Sequence, residues 1–147
     1  MNDYYGLHRF VEAQNPVYHQ VCSELKQGLK LTHWMWFVFP QIEGLSSSSN
    51  SRKFAIASLE EAAAYLNHPV LGPRLLHCTG LVTGTSGRTI KRILGPTDSI
   101  KFRSSMTLFA LATSENEIFT KALRMFYDGQ YDPFTLERLQ SSGVTEI

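Results

Sequence analysis

The sequence predicts an all-α protein, a single compact domain of seven to nine short helices. Three observations lead there. The chain is 147 residues long and 43% apolar, enough for one core and too little for two. No stretch alternates apolar and polar residues between turn signals, and Val and Ile fall singly along helical stripes. The punctuation is that of helices: Ser, Asn or Asp before a stripe, Pro in a first turn, Gly after a last one.

Element by element, Leu7 to Gln14 reads as a short helix with Phe10 on its inner face. Asn15-Pro16 has the form of a cap followed by proline, and Val17, Val21 and Leu25 then recur every fourth residue up to Gly28. Ile42 to Ser51, with the run Ser46 to Ser49, reads as the one true loop. Ser58 with Glu61 three residues on is a capping box that opens Ala62 to Leu66. Asn67-His68-Pro69 closes that helix and starts another, striped by Leu71, Leu75, Cys78 and Val82. Ser86 is the expected cap of a helix through Ile90, Ile93 and Leu94, which Gly95-Pro96 stops. Asp98 is the expected cap of the next, through Phe102, Ser105, Met106, Phe109 and Ala110. A second capping box, Ser114 to Glu117, leads Ile118, Ala122, Met125 and Phe126 to Asp128-Gly129. Asp132-Pro133 repeats the cap-plus-proline form before Phe134, Leu136 and Leu139. Residues 1–140 make the domain, and 141–147 read as a polar tail.

Composition excludes several function classes. Fourteen basic against thirteen acidic residues leave a net charge of +1, so no global field draws nucleic acid or an anionic membrane. Arg88, Lys91 and Arg92 make only a short basic patch. The longest apolar stretch, Trp34 to Phe39, is six residues, against roughly 20 for a membrane helix. The N-terminus lacks a basic and apolar leader, so a cytoplasmic protein is expected. Cys22 and Cys78 stand far apart without a C-x-x-C partner and read as reduced thiols. The five histidines never fall four apart, so no helix face offers two metal ligands; neither metal nor cofactor is expected. Gly80 to Thr89 fails as a phosphate loop, because Val82 and Arg88 stand where glycine and lysine are needed. Ser23 and Lys26 match a serine–lysine dyad in spelling only.

Two segments carry candidate chemistry. The first, Thr32 to Gln41, holds both tryptophans of the chain, with His33 before the aromatic block and Gln41 after it. A histidine beside such a block can face a cleft with aromatic walls. The second is Lys101 to Phe109: on a helix, Lys101, Ser104 and Ser105 lie near one another, with Arg103 alongside. A cation among hydroxyls is the chemistry that holds a phosphate or carboxylate.

Several blocks together resemble one family. These are Arg9-Phe10-Val11 with Ala13-Gln14, His33 to Gln41, Ser58 to Ala62, His68 to Leu75, and Lys101 with Arg103 to Phe109. They look like the bacterial proteins called domain of unknown function 1810, over about Leu7 to Leu139. The resemblance implies a compact, mainly helical, cytosolic domain and brings no activity with it. Phe10-x-x-Ala13-Gln14 is also similar to a helix of the NADAR N-glycosidases, which carry a glutamate where this chain has His8.

The leading functional reading is a small-molecule pocket, with enzymatic activity an open question. Phe10, Trp34 and Trp36 would form its wall, and His33 its titratable group and catalytic candidate. Lys101, Arg103, Ser104 and Ser105 would clamp an anion, with Gln14 and Gln41 as orienting amides. A nucleotide or ribosyl phosphate suits that set. The alternative is a protein-interaction module or homodimer that docks through the aromatic block. Nucleic-acid binding is the weakest reading.

Overall fold

The helical punctuation becomes ten helices among residues 3–85 and 87–141, the part of the chain that the computed structural model describes. The number exceeds the expected seven to nine because two short segments also coil into helix. Helix α1 (His8–Gln14) is capped from outside its own start, where the Asp3 carboxylate accepts from the amides of Leu7 (2.8 Å) and His8 (3.1 Å). Asn15 still bonds back to Val11, so Asn15-Pro16 belongs to a turn and is not the expected cap. Helix α2 (Tyr18–Lys26) starts at Tyr18 without a side-chain cap. The aromatic block contributes a single turn, α3 (Met35–Val38).

The serine run is shorter as a loop than expected. Ser48 accepts from the Ser51 amide at 3.1 Å and so caps α4 (Ser49–Phe54). Helix α5 (Leu59–Asn67) begins at the predicted capping box, with Ser58 accepting from the Glu61 amide at 3.1 Å. The Glu61 carboxylate does not return to Ser58; it accepts from the Ala57 amide (2.9 Å) and from Arg9 (3.0 Å). Arg9 uses all five of its donors, the other four on the carbonyls of Tyr5, Gly6, Lys53 and Ala55, each at 2.8 Å. One guanidinium thereby ties the N-terminal turn to the α4–α5 connection.

His68 Nδ1 accepts from the Val70 and Leu71 amides and opens α6 (Leu71–Thr83), whose predicted stripe is fully buried. Both cysteines are free; burial pushes the Cys78 thiol up to about 12. Thr89 caps α7 (Ile90–Leu94), whereas the expected cap Ser86 lies outside the described residues. Helix α8 (Pro96–Ala112) starts directly at Pro96, which corrects the expectation for Asp98: it sits inside the first turn. Asn116, not Ser114, precedes α9 (Glu117–Tyr127), and its amide donates to the Ala110 carbonyl at 2.7 Å. The buried face of α9 is Phe119, Ala122 and Leu123, which turns Met125 out to solvent. Asp132 caps α10 (Pro133–Ser141) as predicted, accepting from the Thr135 amide at 2.9 Å. The tail 142–147 lies outside the described residues.

Among the described residues there is no strand, only one isolated parallel bridge between Ile42 and Ile56. Helix α8 is the axis of the fold, packed by α5, α7, α9 and α10, and residues 104–110 are all buried. Two aromatic chains cross it. One runs Phe10, Tyr65, Phe109, Phe119 with ring centroids 5.1–5.9 Å apart. The other runs Trp34, Phe39, Phe102, Phe126 at 4.9–6.4 Å. Each such side chain removes roughly 150–250 Å² from water, so these rings dominate the core.

The α5–α6 corner tests the packing directly. A Cβ at Gly72 would lie 2.1 Å from the Leu66 carbonyl oxygen, whereas one at Gly80 would meet only Ile118 Cδ1 at 3.9 Å. Gly72→Ala is expected to cost about 1–3 kcal/mol in urea unfolding. Gly80→Ala, which would make only an ordinary contact on the same helix, is expected to be neutral or to gain up to about 1 kcal/mol. Equal effects at the two positions would contradict this packing.

Candidate functional site

The aromatic block is set in place by a buried carboxylate. Glu24, on α2 and 2% exposed, accepts five hydrogen bonds. Oε1 takes the amides of Leu31 (2.8 Å) and Thr32 (3.1 Å) and the indole N–H of Trp34 (2.9 Å). Oε2 takes the Thr32 hydroxyl (2.6 Å) and the Gln20 amide (2.9 Å). Burial pushes this carboxyl up, but the Thr32, Leu31, Gln20 and Trp34 donors outweigh it and hold the group at about 2. The chain after α2 is thus drawn back onto α2, and the Trp34 indole points inward.

A second carboxylate joins this segment to α8. Asp98 binds Lys30 Nζ at 2.8 Å through one oxygen and Lys101 Nζ at 3.3 Å through the other. Each lysine also lies over a tryptophan, Lys30 at 5.0 Å from the Trp34 ring and Lys101 at 4.0 Å from the Trp36 ring. Asp98 stands in the first turn of α8, where the helix dipole favours a negative group. Two ammonium groups share one carboxylate, so the cluster keeps a positive charge.

Beside this cluster opens a hollow of about 650 Å³ between α3, the 41–48 connection, α8 and α10. Half-buried Trp36, Gln41 and Lys101 line it with the buried Ser104, and Asp132, the cap of α10, and Phe134 close it from that helix's start. Ile100 (67% exposed) and Phe134 (66%) stand at its mouth. A neighbouring hollow of about 480 Å³ lies across Gly44 and Ser46, which line both.

The residues singled out in the sequence separate into three groups. Trp36, Gln41, Lys101 and Ser104 meet at the hollow. Phe10, Gln14, Trp34 and Ser105 are interior. The Gln14 amide donates to the Phe37 carbonyl (2.7 Å) and the Tyr65 hydroxyl (3.1 Å), and the Ser105 hydroxyl is enclosed without a partner among the described residues. The third group faces away: His33 is exposed and does not line the hollow, and Arg103 binds the carbonyls of Gln130 (3.1 Å) and Tyr131 (3.0 Å). The aromatic block is itself largely buried, since Trp34, Met35, Val38 and Phe39 are at most 3% exposed. It therefore offers little docking face.

Sequence reasoning missed Asp98 and Asp132, read only as caps, Ile100, which it did not single out, and Phe134, which it assigned to the stripe of the last helix. One signal existed: Ile100 breaks the α8 stripe one residue before Lys101. Among the described residues, no three His, Cys, Asp or Glu side chains cluster to hold a metal, and no helix is long and apolar enough to cross a membrane.

The model of one protein family, DUF1810 (Protein of unknown function), matches residues 4–139. Among solved structures, the chain is similar to the conserved hypothetical protein Rv1873 from Mycobacterium tuberculosis. The two share 53% sequence identity at a TM-score of 0.93, over 94% of this chain and 99% of that one. No curated protein matches.

Glu24 titrates below its ordinary value of 4.5 when folded. Its contribution to stability is therefore complete above pH 4.5 and is lost as pH falls toward 2. Glu24→Gln, which places an amide N–H₂ among donors, should cost on the order of 2–3 kcal/mol at pH 6–7 in urea unfolding. The gap from the unsubstituted protein should close between pH 4.5 and pH 2. A gap that stays constant over that range would show that the carboxylate's charge is not what matters.

Proposed function

Because the chain belongs to the DUF1810 family of proteins of unknown function, its activity has to be read from its own site, and we propose that the hollow between α3, α8 and α10 binds a small organic anion carrying a flat ring. A single observation carries this reading. The Lys101 ammonium lies 4.0 Å from the centre of the Trp36 ring, in the same hollow that Phe134 borders. An aromatic wall, a half-buried cation and a hydroxyl at one concave place are the elements that orient a ring and its acidic group. Lys101 has a counter-ion in Asp98, but Asp98 serves Lys30 as well. A ligand anion would therefore complete a cluster that has one positive charge in excess. Nucleotides and ribosyl phosphates remain the ligand class in view, together with aromatic acids.

No acid–base step is proposed, since the candidate His33 does not line the hollow. A second reading, docking of a partner protein or another copy of the chain, would draw on exposed apolar side chains, of which Ile100 and Phe134 border the hollow. A ligand seated between them would cover the same side chains.

A thermal-shift screen against nucleotides, sugar phosphates and small aromatic acids tests the reading. A ligand at a hundred times its Kd should add about 2.7 kcal/mol to stability and raise the melting temperature accordingly. Lys101→Ala should abolish the shift while leaving the Lys30–Asp98 pair to hold the fold, and His33→Ala should retain it. A shift that survives Lys101→Ala would move the site elsewhere.

A further inference from the structure

Resting on the binding reading above, we infer that the ligand is a zwitterion, an aromatic compound of the amino-acid type whose protonated amine meets Asp132 and whose anionic end meets Lys101. The argument begins with how Asp132 is satisfied. It is 5% exposed and lines the hollow. Its three donors are the Ser104 hydroxyl (3.1 Å), the Thr135 amide (2.9 Å) and the Thr135 hydroxyl (2.6 Å), and all three go to Oδ2. Oδ1 receives no donor from the described residues. Nor is it enclosed, for among the described residues the enclosed side-chain oxygens without partners are Thr79 Oγ1 and Ser105 Oγ. Glu24 is the contrast within the same molecule, a buried carboxylate with donors on both oxygens.

The carboxylate is also held firmly. The Asp132 amide donates to Thr107 at 2.9 Å, and Arg103 grips the two carbonyls before it. Among the described residues no cation pairs with it. Lys101, on the same hollow, pairs with Asp98, which Lys30 shares, and not with Asp132. A near-buried charge without a counter-ion is costly unless something neutralises it. A hydroxyl would fill the lone pairs of Oδ1 but leave the charge; an ammonium does both. Lys101 and Asp132 line the same hollow, and Ser104, which bonds Asp132, stands one helical turn from Lys101 on α8.

Isothermal titration calorimetry with two matched series decides the matter. The indole series is L-tryptophan, indole-3-lactate and indole-3-propionate, and the phenyl series is L-phenylalanine, phenyllactate and phenylpropionate. In each, the amine becomes hydroxyl and then hydrogen. The amine-bearing member of at least one series should bind about ten- to hundredfold more tightly than its two analogues. Asp132→Asn, which keeps an oxygen for the α10 cap, should leave the melting temperature of the free protein near its original value and erase that preference. Equal binding of hydroxyl and amine members, or binding of nucleotides alone, would overturn the zwitterion and leave the organic-anion reading standing. Failure of both series and of the nucleotide panel would overturn both.

Discussion

The geometry around the hollow depends on Glu24. An ionised side chain without a cation is tolerated in the interior only because five donors surround it. Those donors come from α2 and from residues 31–34, so the bonds that satisfy the charge also fold the chain back on itself. Trp34 is thereby fixed inward, and the single turn of α3 sets Trp36, two residues on, on a half-buried face. Without the carboxylate the amides of Leu31 and Thr32 and the indole N–H would each need another acceptor.

Helix α8 completes the arrangement from the opposite side. It is hemmed in along residues 104–110, and the small hydroxyl residues there suit close approach better than solvent. Thr107 bonds the Arg103 carbonyl at 2.8 Å and receives the Asp132 amide, while Ser104 reaches the Asp132 carboxylate. Hydroxyls that look like an anion clamp in the sequence are mostly spent inside the fold. What faces the hollow from α8 is Thr97, Ile100, Lys101 and Ser104, within about its first two and a half turns.

The candidate site was half legible for the same reason. Trp36, Gln41, Lys101 and Ser104 could be named because aromatic bulk beside an amide, and a cation beside a hydroxyl, are local features. His33 was misjudged because the interior place goes to the neighbouring Trp34, whose indole Glu24 holds, and His33 is left exposed. Phe10 was assigned to the wall and Gln14 to an orienting amide, and both proved to be core, since an amide can be satisfied by a carbonyl 23 residues away as well as by a ligand. Asp132 was recognised as a cap and correctly so; that it has a second oxygen to offer depends on which residues surround it.

Helical class, the stripes of α6 and α7, the capping box of α5 and the proline-linked start of α10 follow from periodicity and capping within one or two turns of chain, and the sequence by itself determined them. The tertiary structure alone decided that Asp98 would join two lysines 71 residues apart, that Ser48 would turn a serine run into a helix start, and that Phe134 would stay in solvent. The physical reason is range. A cap or a stripe is settled by neighbours three or four residues off, whereas a counter-ion, a burial level or a concavity is a property of segments that meet only once the chain has folded.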